Sequence, residues 1–315
     1  MLQIIKLSLI SLFFTSFLFR FEADGALRKG KAQRKVNRLS SYGVSNLEEL
    51  KDQALWHFQQ SEFVEAKLRL QSILALDKNY PKKEEILVYL ASCEFEMGQP
   101  KIAMRSIKDF GKNHADSPLI TNLVELAFEI GKGYTLGEKS EYQVLFRVSK
   151  AFAAFEFVNT HDPYSIEAAE ALLSMATLNM QKRNWGEAIS QLQDIHRKQP
   201  ATDISARADV VLGECYLGFN KGSDYDRRNL ILAERYLKGY LDHYPEGEDR
   251  AYAKSLLERA YNRMGRGELD VARYYLTARK WSSSKFVLKQ ILENKHYSIH
   301  YKEANALLDY ISKKI

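Results

Sequence analysis

The sequence predicts an all-α fold, a solenoid of about six helix-turn-helix repeats. Two observations carry this expectation. Five prolines, Pro81, Pro118, Pro163, Pro200 and Pro245, close helical segments at spacings of 37, 45, 37 and 45 residues. Proline lacks the N–H that would continue a helix, and a recurring period of this size marks a helical repeat array. In phase with the prolines, a small residue followed four and seven positions later by large apolar residues recurs six times. Spacing of i, i+4, i+7 places each triplet on one face of a helix.

The repeats follow in chain order. The first pairs Ala54 on its first helix with Ala66, Leu70 and Ile73 on its second. The second pairs Ala91 with Ala103, Ile107 and Phe110, and the third pairs Ala127 with Ala151, Phe155 and Val158. The fourth has Ala176 with Ala188, Leu192 and Ile195, and the fifth Gly213 with Ala233, Leu237 and Tyr240. The sixth has Ala272 with Ser284, Leu288 and Ile291. The small residue precedes its triplet by twelve residues in repeats one, two, four and six. Repeats three and five need twenty-four and twenty, so each carries an insertion, the one in repeat three at about residues 134–147. Two antiparallel helices approach closely only where one side chain is small, and the large residues then fill the grooves beside it. A bulky residue, such as Phe63, Trp185 or Trp281, opens the second helix in most copies.

Composition bounds the rest. The chain has 315 residues, 45% hydrophobic and 27% charged, which excludes whole-chain disorder. The net charge of +6 resides entirely in residues 27–38, which hold Arg28, Lys29, Lys31, Arg34, Lys35 and Arg38 and no acid. Residues 39–315 are neutral overall, so the body lacks the basic excess of a nucleic-acid binder, and no nucleic-acid partner is expected. Residues 7–19 read LSLISLFFTSFLF, an apolar run that fits a signal peptide and is short for a membrane span. The expected organisation is therefore a signal peptide or uncleaved N-terminal anchor at 1–26 and a basic linker at 27–45. The repeat solenoid then fills 46–315. The leader or the basic run offers a route to membrane association.

Catalytic motifs are missing. There is no phosphate-cradling glycine loop, nucleophile elbow or distinct carboxylate pair, so no enzyme activity and no cofactor are expected. His114, His161, His196, His243 and His296 all fall near the end of a second helix, where a cationic or donor side chain is favourable. His296 and His300 stand at i, i+4 without the glutamate of a zinc-binding motif. Cys93 and Cys215 fall at matching places in non-adjacent repeats and read as small buried thiols rather than a disulfide. Trp56 and His57 are candidates for lining a binding groove, although first-helix packing explains the neighbouring Phe58 equally well.

The six small-plus-triplet copies resemble the tetratricopeptide-repeat family over about residues 46–310. A more specific resemblance covers about residues 240–295. It comprises the Tyr244-Pro245 joint, a long helix running into Glu268, Val271, Ala272, Tyr274 and Tyr275, and Trp281 opening the final helix. Asn184, Trp185, Ala188, Ile189, Gln191 and Leu192 resemble an early repeat in the same way. This pattern is similar to the BamD family, tetratricopeptide lipoproteins of the outer-membrane β-barrel assembly machinery. The resemblance implies a periplasmic scaffold, exported and held at the outer membrane. Its C-terminal repeats would grip the barrel-forming subunit, and its N-terminal repeats would receive extended segments of outer-membrane proteins. Arg273, Tyr274 and Lys280 are the implied partner contacts, while Trp281 is implied to be structural. The family anchors itself by a lipidated cysteine after the leader, and the first cysteine here is Cys93. A general cell-envelope adaptor, near peptidoglycan or a secretion system, is the alternative.

Overall fold

A computed structural model describes Leu39 and residues 41–136, 141–219 and 227–314; the side chains of 141–146 lie outside that description. The leader at 1–26, most of the basic linker and the break in repeat five at 220–226 also fall outside the described residues. Thirteen α-helices and one 3₁₀ turn make up the described regular structure. They are α1 (Leu47–Gln59), α2 (Phe63–Leu76), α3 (Lys83–Glu96), α4 (Pro100–Asn113), α5 (Ile120–Leu136), α6 (Glu141–His161) and α7 (Ile166–Gln181). There follow α8 (Trp185–Lys198), α9 (Asp203–Phe219), α10 (Arg227–His243), α11 (Arg250–Thr277) and α12 (Trp281–Glu293). The 3₁₀ turn (Lys295–His300) and α13 (Tyr301–Ser312) end the chain. The chain divides into two compact units, one up to Leu126 and one from Ala127 onward.

The first unit stacks α1 on α2, α2 on α3 and α3 on α4. Asn46 caps α1 by accepting the Glu49 N–H at 2.9 Å, and the Glu49 carboxylate accepts the Ser45 N–H at 2.7 Å in return. This reciprocal cap explains where α1 starts. Leu50, Ala54, Ala66, Leu70, Ile73, Ile86 and Cys93 form the core. Between α3 and α4, the enclosed Glu94 carboxylate accepts from Ser106 Oγ at 2.7 Å, and Lys67 Nζ of α2 lies 3.1 Å from it. A buried carboxylate is tolerated only with such partners.

In the second unit, α7 through α11 pack each on the next, and α11 also packs on α12. Every residue of the six triplets is buried, with Phe110 and Tyr240 the most accessible at 2% and 3%. The small residues confirm the close approach directly. A Cβ added to Gly213 would lie 2.5 Å from Leu237 Cγ, inside any real contact. Gly218 does the same for Trp185, whose ring would stand 2.4 Å from such a Cβ. The insertion of repeat three is largely extra helix: α5 runs to Leu136 and α6 resumes at Glu141.

The tight turn between first and second helices repeats to atomic detail. Ser61, Gly98, Arg183 and Arg279 each adopt positive φ, at 61°, 70°, 59° and 58°. Each stands seven residues after the small residue of its repeat. The following N–H closes back on the first helix: Glu62 to His57 O, Gln99 to Glu94 O, Asn184 to Asn179 O and Lys280 to Tyr275 O, all at 2.8–2.9 Å. This is the left-handed helix cap that lets a helix reverse within three residues.

Among the described residues α11 is the longest helix, at 28 residues. It packs against α9, α10, α12 and the 3₁₀ turn. Residues 253, 256, 260, 264, 269 and 272 form its buried stripe.

Candidate protein-interaction surfaces

The residues implied as contacts fall into both units. Trp56 and His57 lie on α1 in the first; Arg273, Tyr274 and Lys280 lie on or after α11 in the second.

On α1, Trp56 is 54% exposed and meets His57 edge-on at 4.9 Å between ring centres. The imidazole of His57 bonds the carboxylate of Glu62 in the turn, so it is partly occupied within its own repeat. Phe58 instead packs edge-on against Phe63 and Tyr89.

On α11, Tyr274 is 63% exposed and Val271 39% exposed. Their i, i+3 spacing makes them neighbours on one face. Arg273 is not free for a partner. Its guanidinium donates to Asp270 Oδ1 at 2.6 Å and to the carboxylate of Glu303, which ties α11 to α13. Its pKa is raised by those two carboxylates against an opposing desolvation effect. The Lys280 side chain is exposed, while its backbone N–H is committed to the turn. Glu268 pairs with Arg227 of α10. Trp281 is only partly buried against the core, so its expected structural role is that of a cover over packed residues.

A third surface has no counterpart in the sequence reading. Ser174 and Thr177 of α7, Arg207 and Val211 of α9, and Tyr252 at the start of α11 line a shallow groove of about 230 Å³. Arg207 is exposed in it beside Asp249, and Tyr252 is 44% exposed. Burial and a hydrogen bond with Glu214 push the Tyr252 phenol up to about 12. Three first helices contribute one turn each, and only the stacking of repeats brings them side by side.

His114, His161, His196 and His243 stand at or near helix C-termini, whereas His296 lies in the 3₁₀ turn beyond α12. His114 caps α4 and bonds Glu84 at 2.9 Å, and His243 Nδ1 donates to Gly239 O at 2.6 Å. His196 bonds Ser205 Oγ at 2.7 Å through Nδ1, and its Nε2 lies 3.1 Å from Asp209. Ser205 is buried, while the His196 and Asp209 side chains are partly exposed, so this string ties α8 to α9 at the edge of the core. Both cysteines are free and buried. Burial pushes the Cys93 thiol up to about 11 and that of Cys215 to about 12. Among the described residues, no group of three or more His, Cys, Asp or Glu is placed to hold a metal ion. No described helix is long and apolar enough to cross a membrane.

No family model and no curated protein matches this chain. Solved structures do. A tetratricopeptide-repeat protein from Cytophaga hutchinsonii aligns at 14% identity over 89% of this chain and 95% of its own, with a TM-score of 0.44. One from Parabacteroides merdae aligns at 14% identity over 84% and 98%, with a TM-score of 0.42. The TPR2AB domain of yeast Sti1, solved in complex with a pHSP90 partner, aligns at 14% identity over 84% and 98%, with a TM-score of 0.28. The fold class rests on the chain's own geometry, which is that of an all-α tetratricopeptide-repeat solenoid.

Proposed function

We propose that this chain is a non-enzymatic scaffold of the cell envelope that takes part in outer-membrane β-barrel assembly. In this reading it is exported and acts at the periplasmic face of the outer membrane. The α11–α12 pair docks the barrel-forming subunit, and grooves on the first helices receive extended segments of outer-membrane proteins. The observation that supports the docking site most directly is the exposure of Tyr274 and Val271 on the same turn of α11. That turn lies within the stretch whose residues resemble the BamD family, and an exposed aromatic beside an aliphatic residue is the composition of an interface anchor. With no cysteine before Cys93, the leader or the partners would hold the chain at the membrane.

The test is a pull-down of the barrel-forming subunit by the full chain and by Tyr274→Ala combined with Lys280→Glu. Neither side chain holds the fold, so the melting temperature should stay at the wild-type value while retention falls about tenfold or more, the loss of one anchor's worth of binding energy. Undiminished retention by the double variant removes this face from the interface. If the wild type retains no such subunit, a general envelope adaptor using the Arg207 groove replaces the barrel-assembly reading.

A further inference from the structure

The second unit holds another groove, of about 750 Å³, between the first half of α11 and the 3₁₀ turn. Lys254, Glu258 and Arg259 line it from the helix, and Lys295, His296 and Ile299 from the turn. The second wall is fixed from beneath. His300 is 8% exposed, and its Nε2–H donates to the Asn262 carbonyl at 2.9 Å. Its ring occupies the space left by Gly265, where a Cβ would stand 2.5 Å from it. Tyr297 is buried beside it, and His296 stacks on Tyr261 with ring centres 4.2 Å apart. The groove is therefore built before any ligand arrives, which removes an ordering cost from binding.

Its cations outnumber its acids three to one. Two cations further along α11 are ion-paired: Arg266 and Arg273 reach Asp270, and Arg273 also reaches Glu303. Among the described residues, no carboxylate stands within ion-pair distance of Lys254, Arg259 or Lys295. Glu258 is the one acid that lines the groove, and Ile299 is 69% exposed at its lip.

The geometry points to a docking site for an extended acidic polypeptide segment carrying an apolar residue. Three cations facing one carboxylate attract such a segment, and Ile299 supplies an apolar contact. A nucleic acid fits less well. Glu258 opposes a continuous run of phosphates, the Tyr261 ring is already covered by His296, and the body outside residues 27–38 carries no net charge. This site concerns the chemistry of one surface and stands independently of the barrel-assembly reading.

The experiment is fluorescence anisotropy with the full chain and three labelled probes. These are an octapeptide alternating Glu and Leu, its Lys-for-Glu counterpart, and an oligothymidine of similar charge. The Glu-Leu peptide should bind at least about tenfold tighter than the Lys-Leu peptide. Lys254→Glu with Lys295→Glu should abolish that preference at an unchanged melting temperature, since both side chains are exposed and unpaired. If that variant unfolds, Lys254→Gln with Lys295→Gln should still weaken the Glu-Leu peptide severalfold. Equal binding of the two peptides, or a preference that survives both double variants, overturns the proposal. Tighter binding of oligothymidine than of the Glu-Leu peptide overturns it in favour of a nucleic-acid surface. Loss of the barrel-forming subunit from the pull-down with peptide binding intact overturns the functional reading alone.

Discussion

Two kinds of position show how single residues set the repeat. At the four described reversing turns of this kind the backbone adopts positive φ, and of these only the second repeat uses glycine; Ser61, Arg183 and Arg279 adopt the same conformation with a Cβ. A non-glycine residue in that region costs about 1–2 kcal/mol. Glycine also loosens the unfolded chain, which offsets about 0.4–1 kcal/mol of the relief. Arg183 is exposed, so Arg183→Gly should raise stability by a net of about 0.5–1 kcal/mol, measured by urea denaturation. An unchanged or lower midpoint would show that the turn carries no strain. Gly213 is the opposite case. A methyl there enters the Leu237 side chain, so Gly213→Ala should lower stability by about 1–3 kcal/mol, read in the same experiment.

Polar contacts fix the register of helix pairs, at the element scale. Glu94 of α3 bonds Ser106 of α4, and Asn179 of α7 bonds Gln191 of α8 at 3.0 Å. Both pairs stand three residues beyond the small–triplet contact of their repeat, so equivalent positions do the same work with different chemistry. The Arg273 link between α11 and α13 is another such tie, and it changes what a charge reversal does. Arg273→Glu would put a third carboxylate beside Asp270 and Glu303. The side chain is 38% exposed, so solvent screens the effect, and a loss of about 1 kcal/mol or less is expected. Hydrogen exchange in α13 should speed up in this variant and stay unchanged in Lys280→Glu. Equal protection of α13 in both would mean the ion pair holds nothing in place.

At the scale of the whole molecule, each repeat leans on its sequence neighbours. Stability in such an array is a sum of repeat and nearest-neighbour contributions. Gly213→Ala should therefore accelerate amide exchange in α9 and α10 and leave α1 to α4 as protected as in wild type. Uniform acceleration would show one cooperative body instead. Alkali should act on both units. Cys93 and Cys215 titrate at about 11 and about 12 in the folded chain, against about 8.5 for an unperturbed thiol. A raised folded pKa means the native state holds the proton more tightly. The stability this supplies is complete below about pH 8.5 and is lost as pH rises through the folded values. The melting temperature should fall between about pH 8.5 and 10.5 in wild type and fall less in Cys93→Ala with Cys215→Ala. At pH 8, neither thiol should react with a disulfide reagent until the protein unfolds.

Periodicity alone determined the helical repeats, their phase and their core, because a buried helix face must recur every three to four residues and a close crossing must be small. Every triplet from Ala66 to Ile291 and every small partner from Ala54 to Ala272 lies inside. The reversing turns escaped notice because Arg183 and Arg279 carry no glycine to announce them. The surfaces were less legible, since a surface is assembled from residues remote in sequence. Arg273 reads as an exposed cation until α13 brings Glu303 to it, thirty residues away. Arg207 and Tyr252 share a groove only because α7, α9 and α11 stand side by side. The basic groove exists only because Gly265 leaves room for His300, which holds the 3₁₀ turn against α11.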